Sequence, residues 1–296
     1  MSHSTAPADS SKYYLPHGTP WPIIGSVALF TTMLGVAAWL NDWFGPGMFA
    51  LGLALLAVMF IGWFRTVIGE NQQGVYNLDV DRSFRMGMIW FIFSEVMFFA
   101  AFFGALFYAR QLAVPWIGGE GVKIFNKIFL WQNYDAAWPT NGPMKLGPRA
   151  DGSFSVIPAF GVPALNTAIL LTSGVTITIA HHALRAGNRG VLKVFLAATF
   201  LLGFLFVSLQ AREYGEAYLT KGLQLGTGIY GSTFFMLTGF HGLHVTIGAI
   251  MLTIIWLRTL NGHFTPTRHF GFEAVAWYWH FVDVVWLGLF VFVYWV

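Results

Sequence analysis

The sequence RMGMIWFIFSEVMFFAAFFGALFYAR, at residues 85–110, decides the fold class of this chain. Its two terminal arginines enclose 24 residues, among which Glu95 is the only charged one. A helix of this length is ~36 Å long, enough to cross a hydrocarbon core of ~30 Å. Inserting a carboxylate near the middle of such a helix costs at least ~2.5 kcal/mol. Glu95 therefore requires a partner, a proton or a function at that depth.

The composition indicates a membrane protein. The chain has 296 residues, of which 56% are hydrophobic and 10% are charged, whereas soluble proteins are about 25% charged. The net charge of +3 is too small to indicate nucleic-acid binding. The chain contains no cysteine, which excludes disulfides, iron–sulfur clusters and cysteine nucleophiles. We expect no cleavable signal peptide ahead of the first apolar segment.

Seven apolar segments are long enough to span a membrane, and a helix is the expected conformation for each of them. The segments cover residues 21–40, 48–68, 86–109, 160–184, 192–212, 231–257 and 272–296. The predicted fold is therefore all-α, a polytopic membrane protein with seven transmembrane helices. The predicted organisation is a polar tail with an interfacial segment at residues 1–20, followed by one transmembrane domain at 21–296. The long connection at 111–159 is predicted to lie outside the membrane.

The distribution of basic residues predicts the orientation. If the N-terminus is inside, nine lysines and arginines fall in the inner segments and two fall in the short outer loops. An excess of basic residues marks the cytoplasmic side of a membrane. We therefore predict that the N-terminus is inside, that the C-terminus is outside, and that the connection at 111–159 lies on the outer side.

Titratable side chains lie at a similar depth in three of the predicted helices. His241 and His244 are three residues apart in the sixth segment, and His280 and Asp283 are three residues apart in the seventh. Residues at this spacing are neighbours on a helix surface. Together with Glu95 they are a candidate buried cluster of carboxylates and histidines.

Four interpretations of this cluster remain open from the residues alone. A haem site is disfavoured, because the histidine spacings differ from those of b-type cytochromes. A non-haem metal site would use the H-x-x-H of the sixth segment with carboxylates from other helices. A proton relay, in a transporter that uses Glu95 with His241 or His244, is the third interpretation. The simplest is a set of interhelical hydrogen bonds, each contributing ~0.6–2 kcal/mol.

Basic and aromatic residues also mark the inner ends of the segments. Arg65 follows Trp63 at the end of the second segment, and Arg258 precedes His263 at the end of the sixth. Such residues anchor helices at the membrane interface or bind lipid phosphates. His181, in the His–His pair that ends the fourth segment, is interpreted as an interfacial residue.

Five longer stretches resemble a known family. They are FSEVMFF (93–99), NTAILLTSGVTITIAHHAL (166–184), SLQAREYGEAY (208–218), GIYGSTFFMLTGFHGLHVTIG (228–248) and HFGFEAVAWYWHFVDVVWL (269–287). In this order they resemble subunit 3 of the cytochrome c oxidases, in the haem–copper oxidase superfamily, and the likeness covers nearly the whole chain. Seven segments and the WYWHFVDVVW ending favour this branch over the five-helix subunit 3 of quinol oxidases.

The resemblance implies a role in aerobic electron transport. The chain would be an accessory subunit of an aa3-type, proton-translocating oxidase, with no catalytic residue and no metal site of its own. Haem a, haem a3 and copper are expected on partner subunits. Subunit 1, in direct contact, and subunit 2 are the expected partners, and the chain would stabilise subunit 1 and sustain its proton uptake. The expected location is the bacterial inner membrane, or the mitochondrial inner membrane in a eukaryote.

The resemblance also implies bound phospholipid. In this family the first two helices are set apart from the other five by a cleft that holds lipids. The lipid-contacting positions of the family fall on Trp63, Glu70, Arg258 and His263 of this sequence, and Arg65 matches the arginine between the first two. At the end of the second segment this chain has WFRTVIGE, where the family often has WWRDVIRE.

Overall fold

The computed structural model describes residue 14 and residues 18–295, and this part of the chain is all-α. Seven of its helices are long and apolar enough to cross a membrane, so the predicted fold class is confirmed. The predicted tail lies outside the described residues except for Tyr14 and residues 18–20. The helices of the described part are α1 (Trp21–Leu40), α2 (Gly47–Gln73), α3 (Leu78–Tyr108), the short α4 (Val114–Ile117), α5 (Val162–Arg185), α6 (Arg189–Leu219), α7 (Gly228–Leu260) and α8 (Phe270–Leu289).

Helix α3 is longer than its apolar segment. It begins at Leu78 with Asp79 and Asp81 in its first turn, where carboxylates interact favourably with the helix dipole. Arg85 Nε lies 2.7 Å from Asp81 Oδ2, one turn away. The helical segment continues through a π-helical turn, Ala109–Ala113, into α4. A polar first turn therefore extends this helix beyond the apolar stretch that predicted it.

The chain divides into two compact units, residues 1–86 and 87–296. In the first unit, α1 packs closely against α2. A Cβ atom at Gly35 would overlap the backbone of Phe49, and a Cβ atom at Gly52 would overlap Thr32. Glycine at these two positions lets the helix backbones approach each other, as is common between membrane helices.

In the second unit, α8 contacts both α5 and α7. The side chains of Trp279 and Trp286 on α8 are fully buried. Trp279 Nε1 donates a hydrogen bond of 2.9 Å to Ser173 Oγ, and Trp286 Nε1 donates one of 2.9 Å to Thr167 Oγ1, both on α5. The Trp279 ring also fills the space beside Gly203 of α6. Two buried indoles thus fix the position of α8 against its neighbours.

The connection at 111–159 packs onto the end of α6 and the start of α7. Tyr230 N donates to Thr140 O at 3.2 Å, and Arg149 Nη2 donates to Thr220 O at 2.6 Å. Within the connection, the Asn141 side chain donates to two backbone carbonyl groups, at 2.8 Å and 2.7 Å. The long connection is therefore an ordered part of the second unit.

Candidate functional site: a buried carboxylate–histidine pair

Glu95 of α3 contacts His244 of α7. Glu95 Oε2 and His244 Nε2 are 2.8 Å apart, and the two side chains are only 21% and 13% exposed. The other ring nitrogen, His244 Nδ1, lies 2.6 Å from Phe240 O. A ring nitrogen that faces a carbonyl oxygen donates a hydrogen, so Nδ1 is protonated. Glu95 and Nε2 therefore share a single proton, and the pair has no net charge.

Aromatic rings surround this pair. The His244 ring lies 5.0 Å from the ring of Phe99 and 6.0 Å from the ring of Phe98, both on α3. Tyr278 of α8 stacks on the imidazole at 6.4 Å and donates a hydrogen bond to His244 O at 3.3 Å. An apolar wall strengthens a satisfied hydrogen bond and penalises a separated charge. The pair can therefore join α3 to α7 without carrying a net charge.

His241 points away from Glu95. It is fully buried, and its Nε2 donates to Val282 O of α8 at 3.2 Å. Its ring packs against Trp286 at 5.1 Å and Phe206 at 5.6 Å. His241 therefore joins α7 to α8 and belongs to a different contact from that of Glu95 with His244.

His280 and Asp283 of α8 face α5. His280 Nε2 lies 3.4 Å from Thr178 Oγ1. Asp283 Oδ2 occupies the space in which a Cβ atom of Gly174 would lie, and Asp283 Oδ1 has no hydrogen-bond partner at residue 14 or residues 18–295. The five candidate residues thus occupy three separate places, and Glu95 and His244 are joined by a hydrogen bond.

The candidate lipid-binding residues of the first unit lie on α2. The side chains of Trp63 and Arg65 are exposed. Both carboxylate oxygens of Glu70 accept hydrogen bonds, from Tyr14 at 2.9 Å and from Tyr76 at 2.6 Å. Burial, together with this hydrogen bond, raises the pKa of the Tyr14 and Tyr76 hydroxyls. Both tyrosines are therefore protonated donors at neutral pH, and they hold Glu70 in place.

The candidate lipid-binding residues of the second unit lie at the end of α7. The Arg258 guanidinium lies 4.5 Å from the centre of the Phe264 ring, and no described residue is a hydrogen-bond partner of its buried Nε. His263 N donates to Arg258 O at 3.1 Å. A half-buried guanidinium with a free donor is suited to an anionic oxygen.

Two further polar contacts were not expected from the sequence. Tyr294 donates a hydrogen bond of 2.7 Å to the buried Oε1 of Glu213 on α6. His181, His269 and Glu273 converge at the end of α5 and the start of α8. The spacing of four residues between His269 and Glu273 was a usable signal, but His181 reaches them only through helix packing.

These features define a polytopic, all-α membrane protein with polar contacts buried between its helices. Residues 11–121 and 120–296 match the family described as cytochrome c oxidase subunit III. The cytochrome c oxidase subunit 3 of Oryctolagus cuniculus is 42% identical over 296 residues, which are 100% of this chain and 99% of the relative. Those of Carassius auratus and Squalus acanthias are 43% and 44% identical over 284 residues, 96% of both chains in each case. The chain belongs to the cytochrome c oxidase subunit III family, which confirms the resemblance.

Proposed function

We propose that this chain is the non-redox third subunit of a proton-pumping cytochrome c oxidase. In this role it contacts subunit 1, stabilises it, and sustains its proton uptake, while haem a, haem a3 and copper are held by the partner subunits. The observation that carries the proposal is the match over the full length of the chain to proteins named cytochrome c oxidase subunit 3.

The contacts of the buried titratable residues support an indirect role. The Glu95–His244 pair is neutral and closed by a hydrogen bond of 2.8 Å. His241 donates to a backbone carbonyl of α8. Both contacts join neighbouring helices, as expected of interhelical hydrogen bonds that stabilise a membrane bundle. We assign them to the rigidity of the face that subunit 1 would contact.

Phospholipid is the ligand that we propose for the ends of α2 and α7. Arg65 and Arg258 each present a guanidinium group, which can bind a lipid phosphate. Trp63 is an aromatic residue of the kind found at the membrane interface. At the end of α2, Glu70 is held by two tyrosine hydroxyls and would contact a lipid headgroup together with Trp63 and Arg65. At the end of α7, His263 would do so together with Arg258.

The proposed placement in the membrane follows the basic residues. The N-terminal tail at 1–20 lies on the inner side, the transmembrane domain covers 21–296, and the connection at 111–159 lies on the outer side. The membrane is the inner membrane of a bacterium, or of a mitochondrion in a eukaryote. Protease accessibility in sealed vesicles of known orientation tests this placement.

A comparison of oxidase with and without this chain tests the proposed role. We expect oxidase that lacks the chain to retain its haems and copper. We also expect it to take up protons more slowly and to lose activity sooner during turnover. The readouts are the initial rate, its pH profile and the number of turnovers before inactivation. If all three are unchanged by removal of the chain, the supporting role is wrong.

The alternative function, proton-coupled transport by Glu95 with His241 or His244, predicts a different result. The purified chain alone would then move protons in liposomes, and Glu95→Gln would abolish that flux. The oxidase proposal predicts no flux in either case. It also predicts that the tagged chain co-purifies with subunits that carry haem and copper.

A further inference from the structure

Three metal-ligand side chains converge where α5 ends and α8 begins. His181 lies in the penultimate turn of α5, His269 directly precedes α8, and Glu273 lies in the first turn of α8. Glu273 Oε1 is 3.2 Å from His269 Nε2 and 3.6 Å from His181 Nε2. The side chains are largely buried, with exposed fractions of 9% for His269, 16% for Glu273 and 27% for His181.

The two separations from Glu273 match those between the ligands of a metal site. One ligand atom from each residue can be chosen so that all three lie within 4.8 Å of one another. Zinc binds imidazole nitrogen at ~2.0–2.1 Å and carboxylate oxygen at ~2.0–2.2 Å. Tetrahedral ligands at these distances are roughly 3.3–3.5 Å apart. The two distances from Glu273 bracket that range.

The hydrogen bonding of His269 directs its second ring nitrogen toward the carboxylate of Glu273. His269 Nδ1 lies 3.0 Å from Thr265 O, so Nδ1 carries the hydrogen and the lone pair of a neutral ring is on Nε2. That Nε2 is buried and has no hydrogen-bond partner among the residues that the structure describes, although a carboxylate oxygen is its neighbour. A lone pair on this Nε2 would face the carboxylate oxygen at 3.2 Å, and either a proton or a metal ion between the two atoms would relieve their repulsion.

The His181 ring has the same property. Its Nε2 is also buried, has no hydrogen-bond partner in the described part of the chain, and lies 3.6 Å from the same carboxylate. The His181 and His269 rings are 5.4 Å apart at their centres, with planes at 67°. Two imidazole nitrogens and one carboxylate oxygen therefore surround one position, which is the arrangement of a three-ligand metal site.

We propose that His181, His269 and Glu273 bind one divalent transition-metal ion of the zinc type. Two imidazoles with one carboxylate suit zinc, whereas calcium and magnesium prefer oxygen ligands alone. The Thr265 carbonyl that orients His269 is the outer-sphere partner usual for a metal-bound histidine. The ion would join the end of α5 to the start of α8.

Zinc content tests the proposal in the purified full-length chain, together with any subunits that co-purify. The sample is treated with EDTA, loaded with zinc chloride, passed through a desalting column and analysed by mass spectrometry. We expect wild type to retain one more zinc per chain than His269→Ala. His182→Ala is the matched control, because His182 adjoins His181 on α5 and is exposed; it should retain as much zinc as wild type. Equal zinc in all three proteins would overturn the proposal.

Cobalt supplies a test that does not require a variant to fold. Loading the wild-type protein with cobalt(II) should give the intense visible bands of a four-coordinate site, and adding zinc should remove them at one equivalent per chain. Glu273→Gln, which preserves side-chain volume, should weaken zinc binding at least tenfold. If the wild-type protein shows no such cobalt bands, a shared proton rather than a metal ion holds the three side chains together, and the proposal is wrong.

Discussion

Glu95 Oε2 and His244 Nε2 are 2.8 Å apart and share one proton, because the other nitrogen of the imidazole already donates to Phe240 O. The cost of placing a carboxyl group within an apolar helix is therefore offset by a partner on α7. A neutral hydrogen-bonded pair avoids most of the penalty that a buried, unpaired charge would incur.

Substitutions of Glu95 should separate the hydrogen bond from the carboxyl group. Glu95→Gln retains a donor, since its amide can donate to His244 Nε2, so we expect near wild-type thermal stability in detergent and unchanged oxidase turnover. Glu95→Leu leaves that buried nitrogen without a donor and should cost ~1–3 kcal/mol of unfolding free energy. If Glu95→Gln abolishes proton uptake while the protein remains folded, the pair is part of a proton route.

Gly174 should be sensitive to any added side chain. A Cβ atom there would overlap Asp283 Oδ2, and Gly174 is buried between α5 and α8. Overpacking of this kind costs ~1–3 kcal/mol, so Gly174→Ala should lower the unfolding temperature. Gly104→Ala on α3 is the control, because a Cβ atom there meets nothing within 4 Å. Equal unfolding temperatures for the two variants would contradict the observed packing of α8.

The hydroxyl of Tyr294 should stabilise the C-terminal end of the chain. It is buried and donates to Glu213 Oε1 at 2.7 Å, while Glu213 Oε2 has no hydrogen-bond partner within the described residues. Tyr294→Phe removes the donor from a buried carboxyl group, which costs ~1–3 kcal/mol. Tyr108→Phe serves as the control, since that side chain is exposed. Thermal unfolding that is unchanged by Tyr294→Phe would show that the contact contributes nothing.

The seven spanning helices could be predicted from the sequence because the length of an apolar segment is set by membrane thickness. Counting along each segment could also predict that Glu95 and His244 lie at a similar level, as their contact requires. The direction in which each histidine ring points could not be predicted in this way. Adjacent positions on a helix turn by about 100°, so His241 and His244 point about 60° apart. Because of that difference, His241 contacts α8 and His244 contacts Glu95.

The contacts between helix ends depend on packing that no local pattern contains. His269 precedes α8, and its distance from His181 is set by how α5 and α8 meet. The hydrogen bonds of Glu70 are similar, because Tyr14 is 56 residues away along the chain. Sequence reasoning could name His181 as interfacial, and the family resemblance could name Glu70 as a lipid-contacting position, but their partners follow only from the fold.

The hydrogen bond from Tyr76 to Glu70 should persist into the alkaline range. Burial raises the pKa of Tyr76 above its ordinary value, which is about 10. Since the folded-state pKa is raised, its contribution to stability is fully present below about pH 10 and is lost as pH rises through the folded-state value. We therefore expect the difference in unfolding temperature between wild type and Tyr76→Phe to be constant from about pH 6 to 9 and to shrink above about pH 10. A difference that already shrinks between pH 7 and 9 would contradict the raised pKa.

Arg258 should retain phospholipid through purification. Its guanidinium is half-buried over the Phe264 ring at 4.5 Å, and its Nε has no hydrogen-bond partner within the described part of the chain. A lipid phosphate would satisfy that donor, so Arg258→Gln should reduce co-purified phospholipid by about one molecule per chain in native mass spectra. Arg268→Gln is the control, because Arg268 is exposed in the loop before α8 and should retain the wild-type lipid content. Equal lipid content in both variants would show that the Arg258 guanidinium is held by the protein alone, and the proposed lipid contact at the end of α7 would then be wrong.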